Sequence, residues 1–251
     1  MIKLIISGCN GKMGSVISNL VKNDENIEVV AGFDINTTSE NGYPVFSDPS
    51  QFSGEADVII DFSHPACLEG VLEYATRTKT AVVVATTGLS EEQKDLMEKA
   101  SLETAIFFSA NMSIGINLLI ELVTQAAKVL EENFDIEIIE KHHNQKIDAP
   151  SGTALAIADA INDVLLKKKE YIYDRHSVRK KRANTELGIH TLRGGTIVGE
   201  HEVIFAGNNE LIELKHTATS REVFAVGAVA AAKFLYKKPV GFYSMKDLVN
   251  E

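Results

Sequence analysis

A glycine-rich turn between a buried strand and a helix constrains the fold of this chain most strongly. The apolar run IKLII (residues 2–6) is typical of a buried strand, and SGCNGKMGS leads from it into the helical pattern VISNLVKN. Gly8, Gly11 and Gly14 recur at three-residue spacing. Glycines so placed permit a tight turn, close approach of backbone amides to a pyrophosphate, and packing of the helix on the sheet. The turn therefore predicts a dinucleotide-binding unit.

A carboxylate follows where such a unit needs one. Asp34 ends the second apolar strand, IEVVAGF, 20 residues after Gly14, where it can bind the adenosine ribose. The glycine pattern is GxxGxxG, because Asn10 stands where GxGxxG has its second glycine. Asp34 favours NADH, because a 2′-phosphate would meet a like charge, and Ile35 offers no cation. Lys12 could supply one, so NADPH remains the alternative cofactor.

Strand and helix patterns alternate five times over about the first 110 residues. Apolar runs at 56–63, 80–88 and 105–113 are interpreted as three further strands. This order predicts an α/β class with a doubly wound parallel sheet of Rossmann type and right-handed crossovers. Ligands bind at the C-terminal strand ends of such sheets. Thr86, Thr87 and Asn111 lie at these ends and predict a nicotinamide-ribose site.

The second half of the chain has a different pattern. A long helix is predicted over 113–133, and FDIEIIE then reads as a strand. Three segments from Leu187 onward, LGIHTLR, TIVGEHEVIFAG and ELIELKHTAT, alternate apolar and polar residues around GG and GNN turns. Such alternation is typical of antiparallel strands with one covered face, and predicts an α+β domain on a mixed or antiparallel sheet. We expect domains at 1–112 plus 222–251 and at 113–221, since the Ala-rich helix after Arg221 is predicted to rejoin the first domain.

Proton-handling groups concentrate in EKHHNQKIDAPSGT, residues 140–153. His142 and His143 carry imidazoles, which titrate near pH ~6.5 and can transfer protons at neutral pH. Lys146 adds a positive charge for an anionic substrate or a developing negative centre. The Ser151–Thr153 segment opens a helix, whose N-terminus favours carboxylates. The loop therefore predicts acid–base catalysis on a small carboxylated molecule.

Two other interpretations of the histidines were weighed. A metal site is not expected, because adjacent histidines in extended chain point to opposite faces and the HExxH spacing is absent. A structural role in a hydrogen-bond network is the second alternative. His190, His201 and His216 lie on predicted strands, where they are either exposed or line the substrate cleft.

Composition and charge limit the partners and the cellular location that can be expected for this protein. A net charge of −10 and a pI near 5.2 argue against nucleic acid as a partner. The basic run RKKR (179–182) is interpreted as a solvated loop. No apolar run approaches the ~18 residues of a membrane span, and no signal peptide opens the chain. Cys9 and Cys67 form no CxxC pair, so we expect reduced thiols, a cytoplasmic location and no membrane partner.

The stretch EKHHNQKIDAPSGTA (140–154) resembles the signature of the 4-hydroxy-tetrahydrodipicolinate reductase family, also called dihydrodipicolinate reductases. The glycine turn, VATTG (84–88), SANMSIG (109–115) and VGEHEVIFAG (198–207) are similar to the same family. The resemblance implies NAD(P)H-dependent reduction of 4-hydroxy-tetrahydrodipicolinate in diaminopimelate and lysine biosynthesis. Hydride would reach C4 of a cyclic imine dicarboxylate, with the 4-hydroxyl lost as water. It also implies a homotetramer assembled through the sheets of the second domain, which would bind the substrate.

The resemblance assigns roles residue by residue. His142 would be the proton donor and acceptor, and Lys146 the proton donor. His143, Gly152 and Thr153 would bind the substrate. The residues implied to hold the dinucleotide are Gly8, Cys9, Asn10, Gly11, Lys12, Met13, Asp34, Ala85, Thr86, Thr87, Ser109, Ala110, Asn111 and Met112.

Two rival functions remain open. A related NAD(P)-dependent dehydrogenase of another amino or imino acid would keep the fold, but the combination of HHxxK and PSGT argues against it. A non-catalytic NADH-sensing regulator would need a nucleic-acid-binding segment, and this acidic chain shows none.

Overall fold

The computed structural model describes residues 1–38 and 41–251. The chain forms two compact units, one of residues 1–114 with 222–251 and one of residues 115–221. The strands are β1 (Ile2–Ser7), β2 (Ile27–Phe33), β3 (Val45–Phe46), β4 (Val58–Asp61), β5 (Ala81–Val84), β6 (Ala105–Phe108), β7 (Asp135–His142), β8 (Glu170–Ile172), β9 (Glu186–Arg193), β10 (Gly199–Ala206), β11 (Leu211–Ala218) and β12 (Gly241–Tyr243). The α-helices are α1 (Lys12–Val21), α2 (Leu68–Thr78), α3 (Glu91–Ala100), α4 (Ile114–Leu130), α5 (Gly152–Val164), α6 (Glu222–Leu235) and α7 (Met245–Val249).

The first unit is built on a parallel sheet with the strand order β12-β6-β5-β4-β1-β2-β3. Because successive strand residues face opposite sides, Leu4 and Ile6 pack in one core with α1 and α6, whereas Ile5 packs in another with α2 and α3. Helices thus cover both faces, as predicted for a doubly wound sheet. The Rossmann-type class is confirmed, and α6 packs in the core of this unit.

Local signals at helix starts hold in the structure. Ser90 and Gln93 form a capping box at α3. Pro65 begins a 3₁₀ helix (Pro65–Cys67) that leads into α2, and the His64 side chain caps that turn by accepting a hydrogen bond from the Ala66 amide. His64 therefore has a structural role in its turn.

The second unit is built on a mixed sheet with the strand order β11-β10-β7-β9-β8. β10 pairs antiparallel with β11 and with β7, and the GNN turn closes the β10–β11 hairpin with Asn209 at φ 72°. The predicted mixed or antiparallel sheet is confirmed as mixed, because β9, one of the three segments read as antiparallel, runs parallel to both β7 and β8. The GG turn leaves β9 for β10, but β7 lies between these two strands. The alternation of apolar and polar residues predicts which face of a strand is covered, but it does not predict which strands lie beside it or in which direction they run.

One face of this second sheet is covered and the other is open. Ile136 and Ile138 of β7 pack with α4 and α5 in a third core. Ile139 and Ile204 lie on the opposite face, among charged side chains such as Lys141 and Glu200, which form an ion pair of 3.1 Å. No helix in the described part of the chain is long and apolar enough to cross a membrane.

The basic run 179–182 lies in a loop in which Arg179, Lys180 and Lys181 are exposed and Arg182 is half-buried. Arg182 bonds through Nη1 to Asp135 at 2.5 Å and through Nε to Glu137 at 2.8 Å. Lys180 lies 3.1 Å from the buried carboxylate of Glu186. The run therefore lies in a largely solvated loop, as interpreted from the sequence, and Arg182 and Lys180 also tie this loop to the start of β7 and to β9.

Candidate active site

The glycine turn after β1 has the geometry that its spacing predicts. Gly8 adopts a positive φ of 77°, and a Cβ there would lie 2.5 Å from the Phe62 carbonyl oxygen. Gly11 is the N-cap of α1, and its amide donates to the Gly8 carbonyl at 3.0 Å. A Cβ on Gly14 would overlap the backbone of Gly8 and Cys9. The glycines keep a side-chain-free cradle at the N-terminus of α1, which fits the phosphates of a dinucleotide.

Asp34 lies beside this cradle at the end of β2. Its carboxylate accepts hydrogen bonds from the backbone amides of Asn10 and Asn36, each at 3.0 Å. The Asn10 side-chain amide donates to the carbonyls of Asn36 at 2.6 Å and Thr38 at 2.9 Å. The residue that departs from GxGxxG thus connects the glycine turn to the segment after β2.

A cavity of about 490 Å³ opens at the same edge of the sheet, and its volume lies in the range of small-molecule sites. Gly8, Gly11 and Asp34 line one side. Phe62, Ser63, Cys67 and Val71 also line the cavity. A largely apolar cavity beside a carboxylate suits an adenosine moiety, with Asp34 positioned for ribose hydroxyls.

The remaining predicted cofactor residues differ in what they can offer. The side chains of Cys9, Ala85 and Met112 are buried in the core, so only their backbone can reach a ligand. Burial, aided by the charge of Asp34, raises the pKa of the Cys9 thiol to about 11, which keeps it protonated.

The polar residues at the ends of β5 and β6 have different surroundings. Thr86 is buried and donates to the Asp61 carboxylate at 2.7 Å, whereas Thr87 is exposed. The Ser109 hydroxyl donates to the Asn111 carbonyl at 2.8 Å. Lys12 and Ala110 are exposed, and Met13 is half-buried. All of these predicted residues lie in the first unit.

The proton-handling loop begins at the end of β7 in the second unit. His142 and Glu140 share the covered face of the sheet because they are two residues apart in a strand. Glu140 is fully buried, and its Oε2 lies 2.5 Å from Nδ1 of His142. Arg193 on the neighbouring strand β9 donates from Nη1 to Oε2 and from Nη2 to Oε1, each at 2.8 Å. The imidazole is thus held by a carboxylate that is itself held by a guanidinium.

Two further donors complete the surroundings of Glu140. The Thr191 hydroxyl donates to Oε1 at 3.0 Å, and the Ser151 amide donates to it at 3.1 Å. Burial alone would raise the pKa of the Glu140 carboxyl, but the hydrogen bonds from Arg193, His142 and Thr191 outweigh it and hold that pKa below its usual range. Glu140 is therefore ionised at neutral pH.

A second buried imidazole packs against His142. His201 on β10 is 4% exposed, and its ring lies edge-on to His142 with centroids 5.2 Å apart. Ser151 Oγ accepts a hydrogen bond from the Ala154 amide at 3.1 Å and lies 3.1 Å from His201 Nε2, so its proton is free to donate to that nitrogen. Burial, and then the neighbouring His142, lower the pKa of His201 to about 4. His201 is accordingly neutral at neutral pH.

The loop after His142 positions the other predicted residues. Lys146 Nζ lies 2.9 Å from Asp148 Oδ1, and this contact lowers the pKa of the Asp148 carboxyl. His143 Nε2 lies 3.5 Å from Nη2 of Arg221. The Ala149–Pro150 peptide bond is cis, and α5 begins at Gly152, followed by Thr153. The structure therefore brings the histidines, Lys146 and a helix N-terminus into one loop of the second unit.

Glu140 and Arg193 had no role assigned from the sequence, and His201 was expected only to be exposed or to line the substrate cleft. Glu140 precedes the histidines by two positions, and strand alternation alone could have placed it beside His142. Arg193 and His201 come from β9 and β10, and no local pattern predicts their approach. Among the described residues, no group of three or more His, Cys, Asp or Glu side chains is placed to hold a metal ion.

Comparison with known proteins yields consistent matches over the whole chain. Residues 2–112 match the family model described as dihydrodipicolinate reductase, N-terminus, and residues 115–249 match the model for its C-terminus. The 4-hydroxy-tetrahydrodipicolinate reductase of Caldanaerobacter subterraneus subsp. tengcongensis is 58% identical over 251 residues, covering 100% of this chain and 99% of the relative. The enzyme of the same name from Clostridium tetani is 51% identical over 250 residues, covering 100% of this chain and 98% of the relative.

Solved structures agree with these matches. A dipicolinate-bound dihydrodipicolinate reductase from Paenisporosarcina sp. TG-14 superposes with a TM-score of 0.82 at 27% identity, covering 97% of each chain. A C. glutamicum DAP dehydrogenase in complex with DAP superposes with a TM-score of 0.59 at 15% identity, covering 99% of this chain and 95% of that one. The second likeness shows the fold alone.

Proposed function

This chain belongs to the dihydrodipicolinate reductase family, and we propose that its two units divide the work of the reaction between cofactor binding and proton transfer. The enzyme is an oxidoreductase that reduces 4-hydroxy-tetrahydrodipicolinate to tetrahydrodipicolinate, as its family membership shows. A nicotinamide cofactor supplies the hydride when it is bound. The observation that carries the division of roles is the Glu140–His142–Arg193 network, which is separate in sequence from the glycine cradle.

In this proposal, the second unit binds the substrate and supplies the proton. The N-terminus of α5, at Gly152 and Thr153, binds a substrate carboxylate through its backbone amides and helix dipole. His143 contributes a second polar contact. Lys146 balances the negative charge of the dicarboxylate, and the proton that completes reduction passes through His142 or Lys146. The dipicolinate bound by the Paenisporosarcina enzyme supports a pyridine-type dicarboxylate as the ligand class.

The activity is tested with freshly prepared 4-hydroxy-tetrahydrodipicolinate and reduced cofactor. We expect oxidation of the nicotinamide only when this substrate is present. Meso-diaminopimelate, aspartate and other amino or imino acids are the comparison substrates, because the rival interpretation is a dehydrogenase for one of them. Turnover of a comparison substrate at an equal or higher kcat/KM would replace the function stated here.

We further propose NADH as the preferred cofactor. The Asp34 carboxylate lies at the cavity edge, where a 2′-phosphate would be repelled, and the adjacent Ile35 is 87% exposed without a charge to offer. NADH should bind at least about tenfold more tightly than NADPH, a difference of roughly 1.4 kcal/mol. Fluorescence titration of both cofactors measures it. Ile35→Arg should improve NADPH binding and leave NADH nearly unchanged, whereas a wild-type preference for NADPH would assign the cation role to Lys12.

A homotetramer is proposed on the basis of the open face of the second sheet. Ile139 and Ile204 are surrounded there by paired charges, a composition suited to a contact between copies. At 27.4 kDa per chain, four copies amount to about 110 kDa. Light scattering after size-exclusion chromatography should give this mass for the wild type and a lower one for Ile204→Glu. Leu102→Glu, at a 79% exposed position of the first unit, is the matched control and should keep the wild-type mass. A monomeric wild type contradicts the proposal.

A further inference from the structure

The buried carboxylate of Glu140 is bound by more groups than a simple histidine partner requires. Five donors reach it: His142 Nδ1, two nitrogens of Arg193, the Thr191 hydroxyl and the Ser151 amide. Four of these five do not belong to the imidazole that carries the proposed chemistry. A carboxylate needed only to orient His142 would not require a bidentate guanidinium. The contacts of Arg193 with Glu140 therefore indicate a further function of this pair.

We propose that Glu140 and Arg193 act as opposed positioning residues that set the tautomer and protonation state of His142. Glu140 stabilises the imidazolium, and Arg193 limits that stabilisation by sharing the same carboxylate. The inference rests on the proposed role of His142 in proton transfer, and it adds two residues that do not touch the substrate.

The tautomer follows from the hydrogen bonds. Because Glu140 is an ionised acceptor, Nδ1 of His142 carries a proton, which leaves Nε2 as the nitrogen available to exchange one. Gly199 on β10 lies beside that nitrogen, since a Cβ at this position would be 3.2 Å from Nε2. Glycine therefore leaves Nε2 more room than any other residue would. The ring also makes an edge-on contact with His201.

The charges around His142 act in opposite directions. Burial lowers the pKa of His142, Glu140 on the same strand raises it, and Lys146 on the loop and Arg193 on β9 lower it. His201 on β10 is buried and His216 beyond it on β11 is half-buried, and burial lowers the pKa of both, so they add little charge at neutral pH. The Asp148 carboxylate faces Lys146. Glu140 is thus the only group in this described set that stabilises the imidazolium strongly, and Arg193 directly contacts it.

Arg193 also connects His142 to the loop that carries Lys146. Its Nη2 donates to the Asp148 carbonyl at 2.6 Å as well as to Glu140. One guanidinium therefore fixes the carboxylate behind the imidazole and the backbone two residues after the lysine. This double contact explains why a planar, multiply donating side chain occupies the end of β9, where a lysine could not make all of these bonds.

The decisive measurement is the titration of His142 by NMR of ¹⁵N-histidine-labelled full-length protein, assigned with His142→Gln. Glu140→Gln should lower the pKa of His142 and weaken its preference for the Nδ1–H tautomer. Arg193→Gln should raise that pKa. A neighbouring charge at this distance shifts a pKa by about one unit or more. The pH at which kcat/KM changes should move in the same two directions.

A milder variant covers the case in which Arg193→Gln does not fold. Thr191→Val removes one donor from Glu140, makes the carboxylate more basic, and should raise the pKa of His142 by a smaller amount. Glu137→Gln is the matched control, because Glu137 lies on the same strand with arginine and histidine partners but on the open face. It should leave the titration of His142 in place.

The outcomes separate the two levels of the argument. Opposite shifts for Glu140→Gln and for Arg193→Gln or Thr191→Val support the inference. No shift, or shifts of the same sign, overturn it, whatever the activities show. If the NMR shifts appear and the pH profile of kcat/KM does not follow them, Glu140 and Arg193 do control the protonation of His142. In that case the proposed role of His142 in proton transfer is wrong.

Discussion

Replacing His142 with glutamine should lower kcat by about 10²–10⁴-fold while the Kd for NADH stays within a factor of about two, because general acid–base groups contribute on that scale. Glutamine keeps a polar side chain of similar reach and cannot exchange a proton near neutral pH. All residues proposed to hold the nucleotide lie in the first unit, whereas His142 lies in the second. Stopped-flow measurement of hydride transfer, together with cofactor titration, tests both halves of this expectation.

His190→Gln is the control for this experiment. His190 is a histidine of the same sheet with a carboxylate partner, Glu137 at 2.8 Å, but it lies on the open face. Its replacement should leave kcat nearly unchanged. A loss of NADH affinity in His142→Gln equal to the loss in turnover would remove His142 from proton transfer and assign it to cofactor binding.

Lys146→Ala, which removes the ammonium, should reduce kcat/KM by about 10²-fold or more. A fixed positive charge at a developing negative centre lowers the activation barrier by an amount that corresponds to a rate factor of about this size. Lys146→Arg should retain part of the substrate affinity, because it keeps the charge, but less of kcat, because guanidinium does not release a proton. Steady-state kinetics with saturating NADH would separate the effect on KM from the effect on kcat.

Lys168→Ala provides a matched lysine substitution. Lys168 forms a comparable contact with Asp163 at 2.7 Å, and it is exposed on the surface of the same unit. Its loss should not alter kcat/KM. If Lys146→Ala retains wild-type kinetics, the ammonium has no part in catalysis and His142 must handle the proton alone.

Features that depend on residues close to one another along the chain could be predicted from the sequence. Gly8, Gly11 and Gly14 indicated their turn by their spacing, and the structure shows that Gly8 and Gly14 have no room for a Cβ atom. Asp34 follows from a fixed spacing along one βα unit. The strands of the first unit are short, buried and regularly separated by helices. For this reason their parallel direction could be inferred from the sequence.

Features that depend on strand pairing could not be predicted in the same way. Arg193 meets Glu140 across 53 residues, because β9 pairs in parallel with β7 and brings His142 opposite Arg193. His201 reaches the site because β10 pairs with the other edge of β7, opposite Glu140. Alternation placed each of these side chains on a face of its strand, and only the register placed them together. β8 is three residues long, too short to produce a periodic pattern.

The hydrogen bonds of Asn10 bear on any attempt to redesign the cofactor preference of this enzyme. Positions 34–38 are the obvious segment to exchange with that of an NADPH-selective relative. In this chain the segment is anchored by the backbone amide of Asn10 and by its side chain, which reaches two carbonyls within it. A transplanted segment with another backbone course would lose these anchors and leave the asparagine amide without acceptors. Position 10 and the segment after β2 should therefore be replaced together, although 24 residues separate Asn10 from Asp34.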